Sequence, residues 1–336
     1  MKKIGVLGAG SWGTALALLL ESNGHEVTIW SIDKKEVEML SSKREHETKL
    51  PGIKVPECIK ITNDIEEGIV GMDFCVLAVP SPFTRSTARL MKPFVAERQI
   101  IVDVAKGIEE DTLMTLSEQI LDEIPQANVA VLSGPSHAEE VGKGLTTSVV
   151  IGANDEETAE YLRDAFMNER FRVYVNSDIL GIELGGSLKN VVALAAGVAD
   201  GLGCGDNAKA ALITRGVAEI SRLGMEMGGR AETFAGLTGI GDLIVTCSSI
   251  HSRNRKCGYL IGQGMTLKEA QEEVKMVVEG VYSAKAAKKL GEKYQVSMPL
   301  VDEVNKILFE DKSAADALLD LMMREGTTEH HKLNWK

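Results

Sequence analysis

The chain has 336 residues, of which 44% are hydrophobic and 26% charged, and its formal net charge at pH 7 is −12. A chain of this length exceeds one comfortable hydrophobic core, so two domains are expected. The negative charge argues against nonspecific binding to nucleic acid or to an anionic membrane, because both require a positive field. An anionic ligand therefore needs a local cluster of Lys and Arg side chains.

The N-terminus superficially resembles a secretory signal, with two lysines followed by apolar residues. Glycines interrupt the apolar run, no small-residue cleavage site follows, and no apolar stretch is long enough to span a bilayer. The five cysteines are scattered without a C-x-x-C pair, which favours reduced thiols over a disulfide or zinc framework. We therefore expect a cytoplasmic protein with no metal site and no integral membrane segment, and we expect His330 and His331 to be solvated.

Short apolar runs alternate with helical patterns up to about residue 176. Seven runs are predicted to be strands: 2–7, 26–30, 73–79, 99–105, 128–133, 147–152 and 171–175. This alternation predicts parallel βαβ units, that is, an α/β, Rossmann-like, doubly wound and mostly parallel sheet.

Long patterns of period 3.6 dominate after residue 176, as in 207–228 and 313–324. They predict an all-α C-terminal domain. The predicted domains are a dinucleotide-binding Rossmann domain over residues 1–180 and a helical substrate-binding domain over residues 181–336.

The segment GAGSWG, residues 8–13, matches the dinucleotide fingerprint G-x-G-x-x-G. It follows an apolar run and opens a helical run, which is the context that the fingerprint requires. Its glycines let the backbone approach a pyrophosphate, whose charge the N–H groups of the helix N-terminus stabilise. Asp33, twenty residues after Gly13, stands where an acid binds the ribose hydroxyls of NAD. Lys34 and Lys35 follow it and can attract a 2′-phosphate, so NAD and NADP both remain candidates.

Two lysines lie in apolar surroundings. Lys106 follows the strand predicted over 99–105, and Lys189 lies in the first turn of an apolar helix that begins GGSLKNVVALAAG. Burying an ammonium is costly unless it is paired, so Lys189 either extends its stem to solvent or has a partner. The segment GLTGIGDLIVTC holds one acid, Asp242, in a predicted tight bend. Ser252 can cap the following helix, whose N-terminus forms an anion site together with Arg253.

Seven motifs in order carry a family resemblance over nearly the whole chain: GAGSWGTALA, AKGIE, SGPSHAEEV, GGSLKNVVALAAGVADGL, GLTGIGDLIVTC, SRNRKCG and VVEG. In this order they resemble the bacterial NAD(P)-dependent sn-glycerol-3-phosphate dehydrogenases. The resemblance implies NAD(P)H-dependent, reversible reduction of dihydroxyacetone phosphate to sn-glycerol 3-phosphate, which supplies phospholipid synthesis.

The resemblance also implies roles for individual residues. Lys189 is implied to be the catalytic proton donor, Asp242 to orient its ammonium, and Lys106 to be a second positive contact near the carbonyl. The residues implied to bind the substrate are Lys106, Gly134, Ser136, Lys189, Asn190, Asp242, Thr246, Ser252, Arg253 and Asn254. The residues implied to bind the cofactor are Gly8, Gly10, Ser11, Trp12, Gly13, Asp33, Lys106, Ala138, Arg253, Val277 and Glu279.

Physical chemistry agrees with the role implied for Lys189. Hydride transfer to a ketone produces an alkoxide, which needs a proton and a cationic neighbour. A lysine desolvated in an apolar helix has a lowered pKa and exchanges its proton more easily at neutral pH.

Several alternatives stay open at this point. Ile32 and Asp33 stand where many relatives carry an arginine that favours NADP, which puts a preference for NADP in doubt. A hydroxy-acid dehydrogenase shares the fingerprint and a helix-borne lysine but prefers a carboxylate to a phosphate. A non-catalytic NAD(H) sensor does not need two lysines and an acid to converge. The expected partner is a small phosphorylated substrate, and a homodimer is left open.

Overall fold

The computed structural model describes residues 1–326, 328 and 329, so His330 and His331 lie outside the described residues. Within the described part the strands are β1 (Lys3–Leu7), β2 (Glu26–Trp30), β3 (Glu45–His46), β4 (Leu50–Lys54), β5 (Lys60–Thr62), β6 (Phe74–Leu77), β7 (Ile100–Asp103), β8 (Asn128–Ser133), β9 (Thr147–Gly152) and β10 (Phe171–Asn176). The α-helices are α1 (Ser11–Ser22), α2 (Lys34–Lys43), α3 (Thr84–Met91), α4 (Leu116–Glu123), α5 (Ala138–Gly142), α6 (Glu156–Phe166), α7 (Ile179–Gly201), α8 (Gly205–Glu226), α9 (Ala231–Phe234), α10 (Asp242–Ser248), α11 (Arg253–Gly262), α12 (Leu267–Val274), α13 (Glu279–Lys293), α14 (Pro299–Phe309) and α15 (Ala314–Met322).

Eight strands form one sheet in the order β10-β9-β8-β7-β6-β1-β2-β5, while β3 and β4 form a separate antiparallel pair. The part from β5 to β8 has the strand order of a doubly wound dinucleotide-binding sheet. The strand order reverses between β1 and β6, and ligands of such sheets bind beyond the carboxyl ends of the strands at this point. The predicted Rossmann-like sheet is therefore confirmed, and all seven predicted strands are present with ends that differ by at most two residues.

Strand β9 departs from the predicted parallel βαβ pattern, because it runs antiparallel to β8. The connection between these two strands contains only the five-residue helix α5. The connection is 13 residues long, 134–146, but at 1.5 Å per residue α5 spans only about 7.5 Å, which is too short to carry the chain back along the sheet as the helix of a parallel crossover does. The short strands β3, β4 and β5 were not among the seven predictions.

Helix α7 forms the core of the helical half. Nineteen of its 23 residues are buried, so both its apolar faces and its polar side chains lie inside the protein. Its first turn is capped by Asp178, whose carboxylate accepts a hydrogen bond from the N–H of Gly181 at 2.9 Å. Helix α7 is long and apolar enough to cross a membrane, but 89% of that apolar stretch is buried within the protein.

Helix α11 lies against α7 with the two backbones in direct contact. A Cβ atom added to Gly197 of α7 would lie 2.1 Å from the carbonyl oxygen of Arg255, and one added to Gly258 of α11 would lie 2.0 Å from the carbonyl oxygen of Leu194. Neither position accepts a side chain, because real Cβ atoms do not approach backbone atoms this closely. The glycines therefore set the separation of the two helices.

The residues after β10 contain no strand within the described part of the chain, which confirms the predicted all-α C-terminal region. Separate clusters of buried apolar side chains lie in the sheet half and in the helical half. The two halves meet where Ile182 of α7 packs with Val131 and Val150 of the sheet. The domain limits 1–180 and 181–336 stay a prediction.

Candidate active site

A cavity of about 1040 Å³ opens beyond the carboxyl ends of the strands, between the sheet and the helical half. Its walls come from the loops that follow β1, β2, β6, β7 and β8, and from α7, α10, α11 and the segment before α13. Seventeen of the nineteen residues singled out from the sequence line it: Gly8, Gly10, Ser11, Trp12, Asp33, Lys106, Ser136, Ala138, Lys189, Asn190, Asp242, Thr246, Ser252, Arg253, Asn254, Val277 and Glu279.

Gly13 and Gly134 are not among the residues that line the cavity, and their expected contacts with ligands stay a prediction. A Cβ atom on Gly13 would lie 1.9 Å from the carbonyl oxygen of Gly8, so this glycine lets helix α1 pack closely on the β1 turn. Gly134 has a φ of +135°, a conformation that side chains rarely adopt. Its carbonyl oxygen accepts a hydrogen bond from Lys106 Nζ at 3.0 Å, so Gly134 acts on the site through Lys106.

The turn between β1 and α1 has the shape that a dinucleotide requires. A Cβ atom added to Gly10 would meet no protein atom within 4 Å, so this side of the turn faces open space in the cavity. Helix α1 begins at Ser11 without a side-chain cap, and its first N–H groups are available to an anion. The residues present therefore fit the pyrophosphate of a nicotinamide dinucleotide.

At the end of β2 the structure shows a second use for Asp33. Its Oδ1 accepts a hydrogen bond from the N–H of Lys35 at 2.9 Å and so caps helix α2. The residue also lines the cavity, next to the exposed side chain of Ile32. Capping uses one carboxylate oxygen, which leaves acceptor capacity for a ribose hydroxyl.

Two residues at this end of the cavity, Glu36 and Lys49, were not found from the sequence. Glu36 is buried and accepts hydrogen bonds from Ser31 Oγ at 2.5 Å, Lys49 Nζ at 2.6 Å and His46 Nε2 at 2.7 Å. Burial raises the pKa of Glu36, but the hydrogen bonds from His46, Lys49 and Ser31 outweigh it and lower the pKa to about 2. Because thirteen residues separate Glu36 from Lys49, only the fold reveals that they are paired.

The other end of the cavity holds one carboxylate between two ammonium groups. Lys189 Nζ donates to Asp242 Oδ1 at 2.6 Å, and Lys106 Nζ donates to Asp242 Oδ2 at 2.6 Å. Lys189 Nζ also lies 2.6 Å from Thr246 Oγ1, and the Lys189 side chain is only 6% exposed. The stem of Lys189 therefore does not extend to solvent, and its charge has a buried partner.

Local backbone features place these three groups. A Cβ atom on Gly186 would lie 2.8 Å from Ser133 Oγ, so the glycine leaves room for this hydroxyl, and the Lys106 stem lies beside the same position of α7, 3.6 Å from that Cβ. The predicted bend before Asp242 is a π-helical turn, Leu237–Gly241, which leads directly into α10. Such turns re-aim side chains within a helix and are frequent at functional sites.

Burial and charge shift the ionisation of this cluster. Burial is the main cause that lowers the pKa of Lys189 to about 8; the nearby charge of Lys106 adds to it and Asp242 opposes it. Burial also raises the pKa of Asp242, but the two lysines outweigh it and hold that pKa below its ordinary value. Lys189 can thus release or regain a proton near neutral pH beside a carboxylate whose pKa is held low.

Hydrogen-bond donors face the cavity at the start of helix α11. Ser252 caps this helix by accepting from the N–H of Arg255 at 3.2 Å. Arg253, the first helical residue, lines the cavity and has no ion pair or hydrogen bond to other residues that the structure describes. Asn254 donates from Nδ2 to Asn190 Oδ1 at 3.0 Å, and the buried Nδ2 of Asn190 is left without a partner.

The segment before α13 and the first residue of that helix form another wall of the cavity. Val277 and Glu279 line it, and burial raises the pKa of Glu279, although Arg253, Lys106 and Lys189 oppose this shift. On the sheet side, His137 follows Ser136 and also lines the cavity. His137 belongs to the motif SGPSHAEEV, but the sequence does not show where its ring lies and therefore predicts no ligand contact for it.

A dinucleotide-binding turn that shares one cavity with a Lys-Asp-Lys cluster defines a nicotinamide-dependent dehydrogenase. Residues 3–159 match the model for the N-terminus of NAD-dependent glycerol-3-phosphate dehydrogenase, and residues 178–319 match the model for its C-terminus. The chain belongs to the NAD-dependent glycerol-3-phosphate dehydrogenase family. The resemblance inferred from seven motifs is thereby confirmed, as is the expected dependence on NAD(P).

Similar proteins cover the whole chain. It is 66% identical over 336 residues to glycerol-3-phosphate dehydrogenase (NAD(P)+) of Agathobacter rectalis, with 100% of both chains covered. It is 57% identical over 331 residues to the protein of the same name from Fusobacterium nucleatum, with 98% of this chain and 99% of the relative covered. A crystal structure of glycerol-3-phosphate dehydrogenase from Coxiella burnetii has 39% identity and a TM-score of 0.93, and the match covers 96% of this chain and 99% of that one.

Proposed function

We propose that this enzyme reduces dihydroxyacetone phosphate to sn-glycerol 3-phosphate with NADH or NADPH, and catalyses the reverse oxidation. The observation that carries the proposal is the paired Lys106–Asp242–Lys189 cluster in the same cavity as Arg253, whose side chain makes no ion pair or hydrogen bond with the described residues. The first group suits a carbonyl that becomes an alkoxide, and the second suits a phosphate. The family's name supports the same substrate pair.

Lys189 is proposed to supply the proton. Two of its N–H bonds are directed at Asp242 Oδ1 and Thr246 Oγ1, which leaves a third for a substrate oxygen in the cavity. The reduced nicotinamide, when bound, supplies the hydride that reaches the carbonyl carbon. As negative charge develops on the carbonyl oxygen, an N–H bond of Lys189 breaks, an O–H bond forms, and Lys189 remains as a neutral amine.

Lys106 and Asp242 are proposed to prepare this transfer. Lys106 adds a fixed positive charge beside the developing alkoxide, and its position is held by Asp242 and by the carbonyl oxygen of Gly134. Asp242 orients both ammonium groups at once. The carboxylate also stabilises the protonated form of Lys189. Without it, burial would lower the pKa of Lys189 further.

Arg253 and the N-terminus of α11 are proposed to bind the phosphate. An arginine fork can bind two phosphate oxygens, and the free backbone N–H groups after Ser252 add to the attraction. Nδ2 of Asn190, buried without a partner, adds a donor from α7. Ser136 shapes the substrate pocket, since its hydroxyl donates to the same Gly134 oxygen that holds Lys106.

The cofactor is proposed to lie between the β1 turn and this cluster. Gly8, Gly10, Ser11 and Trp12 face its pyrophosphate, while Ala138, Val277 and Glu279 contact it nearer the nicotinamide. Asp33 favours the free ribose of NADH, whereas Lys49 offers a cation to a 2′-phosphate, so both dinucleotides are accepted. We further propose a cytoplasmic location and a supply of glycerol phosphate for phospholipid synthesis; the homodimer stays a prediction.

Oxidation of NADH and NADPH with dihydroxyacetone phosphate and with unphosphorylated dihydroxyacetone tests the proposal. We expect kcat/KM to be far higher for the phosphate ester. Arg253→Ala should lower that value by roughly 10²-fold, the usual effect of losing a charge-assisted contact, and should leave dihydroxyacetone almost unaffected.

Lys256→Ala provides the matched control, because it removes a positive charge from the same helix at an exposed position outside the cavity wall. This variant should behave like the unmodified enzyme. Equal kcat/KM for the two ketones would overturn the phosphate assignment.

A further inference from the structure

His137 carries a polar atom in the cavity that the mechanism above does not use. Its Nε2 is buried and has no hydrogen-bond partner among the residues that the structure describes. A buried donor or acceptor without a partner costs free energy, so such an atom in a ligand cavity points to a ligand group.

The loop that carries His137 is fixed against the catalytic lysines. The carbonyl oxygen of Gly134 accepts from Lys106 Nζ at 3.0 Å and from Ser136 Oγ at 2.9 Å, which anchors the loop immediately before the histidine. Burial, Lys189 and Lys106 together lower the pKa of His137, so its imidazole is neutral at neutral pH. The ring therefore lines the cavity on a loop that is bonded to a lysine proposed to contact the substrate carbonyl.

The proposed substrate has one polar group that still lacks a partner. Its carbonyl oxygen faces Lys189 and Lys106, and its phosphate faces Arg253. The C1 hydroxyl, on the other side of the carbonyl from the phosphate, has no assigned contact. A hydroxyl both donates and accepts, so it can pair with a neutral imidazole nitrogen in either tautomer.

We propose that His137 Nε2 hydrogen-bonds the C1 hydroxyl of the ketone and makes the enzyme select a hydroxymethyl ketone over a methyl ketone. This inference rests on the proposed function. Asn190 Nδ2 is a second buried donor of the cavity wall without a partner in the part of the chain that the structure describes, but its amide is bonded to Asn254 of α11 and so belongs to the phosphate end. The loop that carries His137 is instead bonded to Lys106 through the carbonyl oxygen of Gly134.

The side chain of His137 can be replaced without removing a structural hydrogen bond. The residue is the N-cap of α5, but its side chain makes no capping bond. Its ring packs beside that of His251, with ring centroids 5.9 Å apart. His137→Phe keeps a ring for this contact and removes the polar atoms.

Two ketone substrates test the inference. One is dihydroxyacetone phosphate, and the other is hydroxyacetone phosphate, which has a methyl group in place of the hydroxymethyl group. The unmodified enzyme should prefer dihydroxyacetone phosphate by about 10- to 100-fold in kcat/KM. In His137→Phe this preference should fall to about twofold or less, through a loss confined to dihydroxyacetone phosphate.

Two polar variants show which ring nitrogen acts. The amide of Gln reaches the position of Nε2, whereas the amide of Asn reaches that of Nδ1. His137→Gln should therefore retain most of the preference, and His137→Asn should lose it. Thermal melting of each variant checks that the fold is intact.

The outcomes separate this inference from the proposed function. An unmodified enzyme that does not reduce dihydroxyacetone phosphate would overturn the proposed function itself. An enzyme that reduces both ketones equally well, or a His137→Phe variant that keeps the full preference or loses both activities in proportion, would overturn the role of His137 alone.

Discussion

Lys189 combines two properties that single residues rarely share: it is buried, and it is charged. Its side chain is 6% exposed, and its ammonium contacts the carboxylate of Asp242 and the hydroxyl of Thr246. Burial lowers its pKa to about 8, close to the pH at which a proton donor is most effective. The surroundings of this residue are therefore those of a proton donor and not those of a solvated surface lysine.

Replacement of Lys189 by Met tests this assignment. Lys189→Met keeps the length of the stem and removes the proton, so kcat should fall by roughly 10²- to 10⁴-fold. Cofactor affinity should barely change, because the residue lies at the substrate end of the cavity. Steady-state kinetics and a calorimetric titration with NADH measure the two quantities.

Lys209→Met is the matched control for this variant. Lys209 is also a largely buried lysine paired with an aspartate, Asp200, at 2.7 Å, but it does not line the cavity. Its replacement should leave kcat within about twofold. A fully active Lys189→Met enzyme would instead transfer the role of proton donor to Lys106.

The pH dependence of the two reaction directions follows from the same residue. Ketone reduction needs protonated Lys189, so its rate should fall as pH rises through about 8, the lowered pKa of this group. Alcohol oxidation needs the neutral amine, so its rate should rise over the same range. Rate profiles from pH 6 to 10 in both directions measure this pH dependence. A Lys189→Met enzyme whose residual rates changed with pH in the same way would contradict the assignment.

The sequence predicted the individual residues of this cluster better than their pairing. Lys189 was conspicuous as a charge in an apolar helix, but its acid, Asp242, lies 53 residues away. The shared carboxylate between Lys189 and Lys106 and the contact between Glu36 and Lys49 depend on how distant segments meet. No local pattern encodes such meetings, and the polar role of His137 escaped notice for the same reason.

At the scale of elements, the turn between β1 and α1 gives a graded test. Gly10 faces open space in the cavity, so Gly10→Ala and Gly10→Val should both fold. Each added methyl group intrudes further on the pyrophosphate, so NADH affinity should fall modestly for Ala and by at least about 10²-fold for Val. Calorimetric titration measures the series, and unchanged affinity in Gly10→Val would contradict the proposed position of the cofactor.

Strands with clear patterning were predictable, whereas short and irregular ones were not. Most of the predicted strands are largely apolar runs, as expected for a sheet covered on both faces, whereas the edge strand β10 alternates buried and exposed residues. Strand β4 contains Pro51 and a glycine, and β5 has only three residues, so neither shows such a run. The direction of β9 was missed because strand polarity depends on the connection and not on the strand's own residues.

At the scale of the whole molecule, Asp242 joins the two halves. It belongs to the helical half, and it binds Lys106 of the sheet half and Lys189 of its own half. Asp242→Asn leaves two buried ammonium groups without their anion, so the free energy of unfolding should fall by roughly 2 to 4 kcal/mol. Urea unfolding measures this change.

Adding Lys189→Met to Asp242→Asn should restore part of the lost stability, because only one unpaired ammonium then remains. Asp200→Asn serves as the control acid, since its partners Lys209 and Arg255 lie elsewhere in the helical half. The decrease in the free energy of unfolding that Asp200→Asn causes should be the same with and without Lys189→Met. Strictly additive effects of Asp242→Asn and Lys189→Met would show that the pair is not coupled.

The backbone contact between α7 and α11 has a consequence for substrate size. Lys189 is carried by α7 and Arg253 begins α11, and Gly197 and Gly258 let the backbones of these two helices pack in direct contact. The packing of the two helices therefore sets the distance between the proton donor and the phosphate site. A ketose phosphate with an additional methylene between carbonyl and phosphate does not match a spacing fixed for dihydroxyacetone phosphate, so we expect the enzyme to reduce it more slowly.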